Sequence, residues 1–312
     1  MEDLQLHFSR VAPKYRDLRI TDPDPIFWIK TRLGSFPSNL IAADIGCGDG
    51  RYDLELFRHL GERLFLHCVD NNRQMLKELN KYLNKHGIGA FSVKHSLDRR
   101  LPFAEGSLDC LFTFNAIHHF ALPRFLEETE RVLKEGARLF IYTRLRSQNR
   151  RSIWGRYFPL FDQKEVRLYE LWELEGLLRS VQNLTIEDRK YFRYERVAGL
   201  NRLIERARNH HYSTFSLYSK AEFERCCEAF ERNLRRCFSD LENIEWSDEN
   251  ILLVVRKGEP GAGLLHSDPI CSSTLPGPAP APGTREFVRS PQTPGSLTVP
   301  RRSSSPTSEQ SR

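Results

Sequence analysis

The residues with the clearest chemical purpose sit in one short run, Ala42-Ala43-Asp44-Ile45-Gly46-Cys47-Gly48-Asp49-Gly50-Arg51-Tyr52. Glycine at every second position, Gly46, Gly48 and Gly50, permits positive φ and lets a ligand come close to the backbone. A dinucleotide fingerprint, GxGxxG, would need its last glycine one position later, where Arg51 stands. Asp44, two residues before the first glycine, would also set a negative charge against a pyrophosphate, so a cationic ligand suits the loop better. Asp70 follows Gly50 by 20 residues and closes a second apolar run. A carboxylate there accepts hydrogen bonds from the two hydroxyls of a ribose. With Cys47 inside the loop and Asn71 beside Asp70, the set describes a pocket for a nucleoside that carries positive charge.

S-adenosylmethionine, with its ammonium and sulfonium, is such a ligand. Methyl transfer from a sulfonium is an in-line displacement, so positioning supplies much of the rate. A base is needed only where the nucleophile must lose a proton. His118 and His119 are the candidates for that work, and Asn115 beside them is read as a polar contact that orients the acceptor. The cysteines read as buried thiols or as helix residues without metal partners.

These residues need a scaffold, and the apolar pattern supplies one. Leu40–Ile45, Leu64–Val69, Leu108–Phe114 and Arg138–Thr143 are short runs expected as buried strands, with a weaker one at Phe91–Val93. Between them Met75, Leu76, Leu79, Tyr82 and Leu83 share a helical face, as do Leu122, Phe125, Leu126, Thr129, Val132 and Leu133. Ser219 with Glu222 marks the start of a later helix carrying Phe223, Cys227, Phe230, Leu234 and Cys237. Ile244-Glu245-Trp246 and Ile251–Val255, separated by four polar residues, predict a closing hairpin. Strand-helix alternation implies an α/β fold, a doubly wound, mostly parallel sheet covered on both faces.

At this point the chain resembles the class I S-adenosylmethionine-dependent methyltransferases, over about residues 5 to 144. Within them it resembles the type 11 group that includes the ubiquinone and menaquinone C-methyltransferases. Phe8, Ala12 and Tyr15 look like that family's amino-terminal helix over the cofactor. Leu101-Pro102-Phe103 with Gly106-Ser107-Leu108-Asp109, Asn115-Ala116-Ile117-His118-His119-Phe120, and Arg131-Val132-Leu133-Lys134-Glu135-Gly136 match later segments. The resemblance implies seven strands in a Rossmann-like sheet. It also implies an acid for the adenine amino group about four residues before Leu101, where Leu97 stands between Ser96 and Asp98; these two flanking residues are the candidates. Gly48-Asp49-Gly50-Arg51-Tyr52, His118-His119-Phe120 and Phe140-Ile141-Tyr142 are further similar to the tRNA wobble-uridine methyltransferases.

The expected organisation is N-terminal cofactor-covering helices over 1–39 and a core over 40–144. A lid over 145–218 follows, then a closing helix and hairpin over 219–257, and a disordered tail over 258–312. The tail holds ten Pro, six Gly and ten Ser, too little apolar surface to offset its ordering entropy. Its Ser290-Pro291, Thr293-Pro294 and Ser305-Pro306 fit proline-directed phosphorylation. From Arg144 to His211 the lid carries a net charge of +6, equal to that of the whole chain. Trp154, Tyr157, Phe158, Phe161, Tyr191, Phe192 and Tyr194 lie among these charges. Basic and aromatic residues together are how single-stranded RNA is held, so RNA is one expected partner and a small molecule the other. A non-catalytic scaffold with the same fold is a third reading. The 39% hydrophobic content, with no run near the ~20 apolar residues of a membrane span, excludes a membrane-embedded chain. Seven cysteines without pairing pattern and an N-terminus lacking an apolar segment place the protein in the cytoplasm, with the nucleus as the other reducing compartment.

Overall fold

The computed structural model describes residues 2–34, 39–96 and 100–258. Asp98 and, apart from Gly258, the Pro/Ser-rich tail lie outside the described residues. Seven strands form one sheet: β1 Leu40–Ile45, β2 Leu64–Asp70, β3 Phe91–His95, β4 Leu108–Phe114, β5 Leu133–Thr143, β6 Leu184–Ala198 and β7 Ile244–Lys257. Their order is β3-β2-β1-β4-β5-β7-β6, parallel through β5 and antiparallel at β7 and β6. The order turns back at β1, whose neighbours are β2 and β4. In open α/β sheets that reversal leaves a crevice at the carboxyl ends of the strands.

The sheet is buried on both faces because its strands alternate between two apolar layers. Leu40 and Ala42, then Cys110, Phe112 and Phe114, then Leu252 and Val254 enter one layer. Ala43 and Ile45, Leu111, and Ile251, Leu253 and Val255 enter the other. Helices Arg51–Leu60 and Arg73–Lys85 pack on the first face, and Leu122–Val132 on the second. Asn72 caps the Arg73–Lys85 helix, its side chain accepting from the N–H groups of Gln74 and Met75 at 3.0 Å each. Ser219 caps Lys220–Cys237 by accepting from Glu222 N–H.

Three expectations change. The predicted closing hairpin is instead one 14-residue strand, β7, running unbroken through Ser247-Asp248-Glu249-Asn250. Its antiparallel partner is β6, which pairs with it from Leu184↔Lys257 to Ala198↔Ile244. Since β6 lies inside the predicted lid, residues 145–218 are only partly an insertion: the segment also supplies the edge strand of the core sheet. The third change concerns the lid's aromatics. Trp154, Phe158 and Phe161 are buried in a third apolar cluster with Phe215, Phe223, Phe230 and Ile244, and Tyr157 packs against it. They face inward and offer no stacking platform.

Trp154 shows how tightly that cluster is built: its ring lies 4.6 Å from His211, 5.1 Å from Phe230 and 5.6 Å from Phe215, centroid to centroid. Trp154→Ala is expected to destabilise the fold by about 3–5 kcal/mol, read as a lowered urea midpoint with an unchanged slope. A residue reserved for nucleic-acid stacking would leave the midpoint where it is.

Candidate functional site

The crevice at the carboxyl ends of β1, β2 and β4 holds a cavity of about 500 Å³, within the ~300–1,000 Å³ usual for small-molecule sites. Asp44, Gly46, Cys47 and Gly48 line it from β1 and its loop, Asp70 and Asn71 from β2, and Ser96 from beyond β3. Asn115, His118 and His119 line it beyond β4, and Phe8 and Tyr15 from the N-terminal helices. The structure thus brings together every predicted site residue except Asp98, outside the described set, and Gly50.

The three glycines have different reasons. Gly48, at φ 59°, has open space where a Cβ would stand, so its wall of the cavity is kept clear for a ligand. A Cβ on Gly46 would come within 2.6 Å of Ala116 Cβ, so that glycine lets the loop after β4 close against the first loop. Gly50, at φ 83°, starts the Arg51–Leu60 helix and packs against Leu79.

Asp70 is held by the backbone: Gly48 N–H donates to Oδ2 at 2.9 Å and Asn72 N–H donates to Oδ1 at 2.7 Å. Each oxygen keeps a lone pair for an incoming hydroxyl. Burial pushes its pKa up, while the Asn72 and Gly48 amides pull it down. Asp44 is buried, and its Oδ1 receives no hydrogen bond. An orphaned buried carboxylate oxygen on a cavity wall calls for a cation. Backbone-held Asp70, orphaned Asp44 and open Gly48 suit the ribose and cationic end of an S-adenosylmethionine molecule. Val69, Leu101 and Phe120 add apolar wall.

Asn115 stands at φ 54°, a left-handed conformation that asparagine tolerates better than most residues. Its N–H donates to Tyr142 O at 2.7 Å, and its Oδ1 accepts from Asn250 Nδ2 at 3.1 Å. His118 and His119 line the cavity and are partly buried. Burial, with the Arg167 and Arg19 charges, pushes His118 down to about 3. Burial and then His118 push His119 well below its ordinary value. Both shifts favour the neutral ring near pH 7, whereas general-base work favours a pKa near the working pH.

Sequence reading missed a second chamber. A space of about 100 Å³, lined in common with the first by Arg19, Arg51, Tyr52, Asn115 and His118, opens on the lid side. Its far wall is Arg144, Arg196, Arg206, His211, Tyr212 and Asp248. Arg144 pairs with Asp248 at 3.1 Å, and Arg196 with Asp22 at 2.7 Å. Arg19 donates to Tyr15 Oη at 3.1 Å and lies 4.3 Å from the centre of the Tyr212 ring. Arg51 donates to Ile20 O at 2.7 Å. Arg19, Arg51 and Arg206 make no ion pair among the described residues. Residues from β6, β7 and the lid meet here only through tertiary packing, so no sequence spacing announces them.

The lid's outward charge is largely matched internally. Arg150 pairs with Asp162, Arg151 with Glu249, Arg146 with Glu173 and Arg189 with Glu175. Tyr191 is the exposed member of the second aromatic group. Among the described residues no helix is long and apolar enough to cross a membrane.

Comparison with known proteins agrees with this geometry. Residues 43–141 match the family model described as a methyltransferase domain. The chain is 32% identical over 114 residues to a tRNA (carboxymethyluridine(34)-5-O)-methyltransferase, alkbh8, of Xenopus tropicalis, covering 35% of this chain and 16% of that protein. It is 27% identical over 150 residues to a 2-phytyl-1,4-naphtoquinone methyltransferase of Nostoc punctiforme, covering 45% of this chain and 63% of that one. Among solved structures, the YcgJ protein of Bacillus subtilis superposes with a TM-score of 0.54 at 16% identity, covering 76% of this chain and 99% of that one. A protein assigned to methyl transfer in an antibiotic biosynthesis pathway of Anabaena variabilis gives 0.55 at 20%, covering 76% and 98%. The fold is the Rossmann-like methyltransferase fold, and the chain spans under two thirds of each curated relative's length.

Proposed function

We propose that this chain, which carries a methyltransferase domain, transfers a methyl group from S-adenosylmethionine to a carboxylate oxygen, forming a methyl ester. The observation that carries the acceptor is the small chamber beside the cofactor cavity, whose lining includes Arg19, Arg51 and Arg206, none of which forms an ion pair among the described residues. The lining sets five arginines against the carboxylates of Asp22, Glu165 and Asp248; that excess of guanidinium attracts an anion, and guanidinium geometry matches a carboxylate. At about 100 Å³, roughly three waters' share of liquid volume, the chamber admits a carboxylate head and leaves its carrier outside. The Xenopus relative's name, with its carboxymethyluridine, is in keeping with such an acceptor.

When bound, the cofactor supplies an electrophilic methyl group. Asp70 would hold the ribose, Asp44 a cationic end, and Phe8 and Tyr15 would cover the site. The arginines would aim the carboxylate across the shared wall, where Asn115 and His118 offer neutral hydrogen bonds. A carboxylate is already deprotonated near pH 7 and needs no base, which fits two histidines held neutral by burial. At saturating cofactor, kcat is therefore expected to stay flat from about pH 6 to pH 8; a rising limb near pH 6.5 would return a histidine to base duty.

The test is transfer of labelled methyl into cell extract fractionated into RNA, protein and small molecules, each then treated with mild alkali. A methyl ester releases the label as volatile methanol. Alkali-stable label on nitrogen or carbon would overturn the carboxylate reading. Alkali-labile label in RNA would name a wobble-nucleoside carrier, and in the small-molecule fraction a free acid. With Trp154, Phe158 and Phe161 facing inward, exposed Tyr191 and the lid's outward arginines are what would remain for an RNA carrier, and the RNA fraction of the test reads it.

A further inference from the structure

Behind the glycine loop lies a group that the methyl transfer just described does not use. Asp53, in the first turn of the Arg51–Leu60 helix, is 0% exposed, and neither of its carboxylate oxygens receives a hydrogen bond from a donor. It meets Asp44, itself 1% exposed with Oδ1 orphaned, side chain to side chain. The other titratable and charged groups facing the pair are Cys47 and Asp49 from the loop, Arg51 from the helix, and Cys68 and Asp70 from β2. Asp49 is matched by Arg16 at 3.4 Å, and Asp70 by the amides of Gly48 and Asn72. Arg51, a cation whose charge reaches Asp44, directs its guanidinium to Ile20 O and Thr21 Oγ1. Among the described residues, neither Asp44 nor Asp53 forms a salt bridge.

Two carboxylates in contact, out of water and without a cation, do not both stay ionised. A shared proton bridges one oxygen of each carboxylate, one as donor and the other as acceptor. We infer that Asp44 and Asp53 hold one proton between them in the cofactor-free protein and release it to solvent when the cationic end of S-adenosylmethionine reaches Asp44. Cofactor binding is then an exchange of a proton for a cation, with Asp53 the positioning residue that holds Asp44 ready. The inference rests on reading the cavity as the cofactor site.

The sign follows from linkage. Burial and the neighbouring carboxylates push Asp53 up to about 7 and Asp44 well above its ordinary value. While the free pair holds its shared proton it must lose that proton to bind, so affinity rises with pH by about tenfold per unit and levels off only where the free pair has itself ionised.

Calorimetry of S-adenosylmethionine binding to the full chain at about pH 8, in two buffers of different ionisation enthalpy, counts the protons. The expected result is release of about one proton per cofactor, with a dissociation constant that tightens as the pH is raised. Asp53→Asn leaves Asp44 a neutral hydrogen-bond donor and removes the shared proton, so release should fall close to zero and the pH dependence flatten. Buffer-independent heats with pH-independent affinity in the unsubstituted protein would overturn the inference, whether or not the variant folds. Equal release from Asp53→Asn and the unsubstituted protein would overturn it too. Absence of cofactor binding at every pH would instead overturn the reading of the cavity.

Discussion

Replacing Asp70 by Ala is expected to weaken S-adenosylmethionine binding by about two to three orders of magnitude, as measured by calorimetry at fixed pH. Hydrogen bonds to a charged group contribute roughly 1.5–3 kcal/mol each, and Asp70 would make two to the ribose. The same carboxylate receives Gly48 N–H and Asn72 N–H, so its removal also frees the loop whose shape the ligand needs. Asp70→Asn keeps the size and one acceptor, and should lose less than the alanine variant. The aromatic and apolar wall around the cavity remains in both, so melting temperatures should change little compared with affinity. Unaltered affinity in Asp70→Ala would place the nucleoside elsewhere and remove the basis for the cofactor assignment.

The second large effect belongs to the small chamber. Arg206→Met keeps the aliphatic stem and deletes the charge, and is expected to lower kcat/KM for the acceptor by roughly 100-fold. Cofactor affinity should stay unchanged, because Arg206 lines the chamber and not the cofactor cavity. Burial and the Arg202 charge push the Arg206 guanidinium's pKa down, a sign that the folded protein disfavours its charge. The variant should therefore melt at an equal or higher temperature while losing activity, the usual signature of a residue kept for function at the expense of stability. Arg144 is a poorer choice for this test, since it pairs with Asp248 and its loss would leave that carboxylate to Arg196, which already holds Asp22. An acceptor handled equally well by Arg206→Met would contradict an anionic head in the chamber.

What the sequence disclosed was the part whose logic is local. Leu40–Ile45, Leu64–Asp70 and Leu108–Phe114 read as strands because burial on both faces leaves uninterrupted apolar runs. The glycine loop and Asp70 were legible because a ligand-binding turn needs its residues within a few positions of a strand end. β6 hid because an edge strand tolerates charge at alternate positions; Glu187, Arg189, Arg193 and Glu195 masked it as surface. β7 was split in two because Ser247-Asp248-Glu249-Asn250 has the composition of a turn. Its polarity has another cause: Asp248 and Asn250 face the chamber, where Asp248 pairs with Arg144 and Asn250 steadies Asn115. Asp53 carried a faint signal, an acid in the buried first turn of a helix, but acids at helix starts are ordinary. Only the neighbouring Asp44 side chain makes it unusual.

The wall common to the two spaces has a consequence for the order of events. Arg19, Arg51, Tyr52, Asn115 and His118 each line both spaces, so on the proposed reading neither ligand would meet a surface independent of the other. Whatever ordering of Arg19 against Tyr15 and Tyr212 the first arrival brings about is ordering that the second no longer has to impose. Thermodynamic reciprocity then fixes the relation: the factor by which cofactor changes acceptor affinity equals the factor by which acceptor changes cofactor affinity. The demethylated cofactor would press on the same partition. A product ester, having lost its charge, would no longer hold the guanidiniums, so on the proposed reading it would leave the partition more readily than the acid that entered.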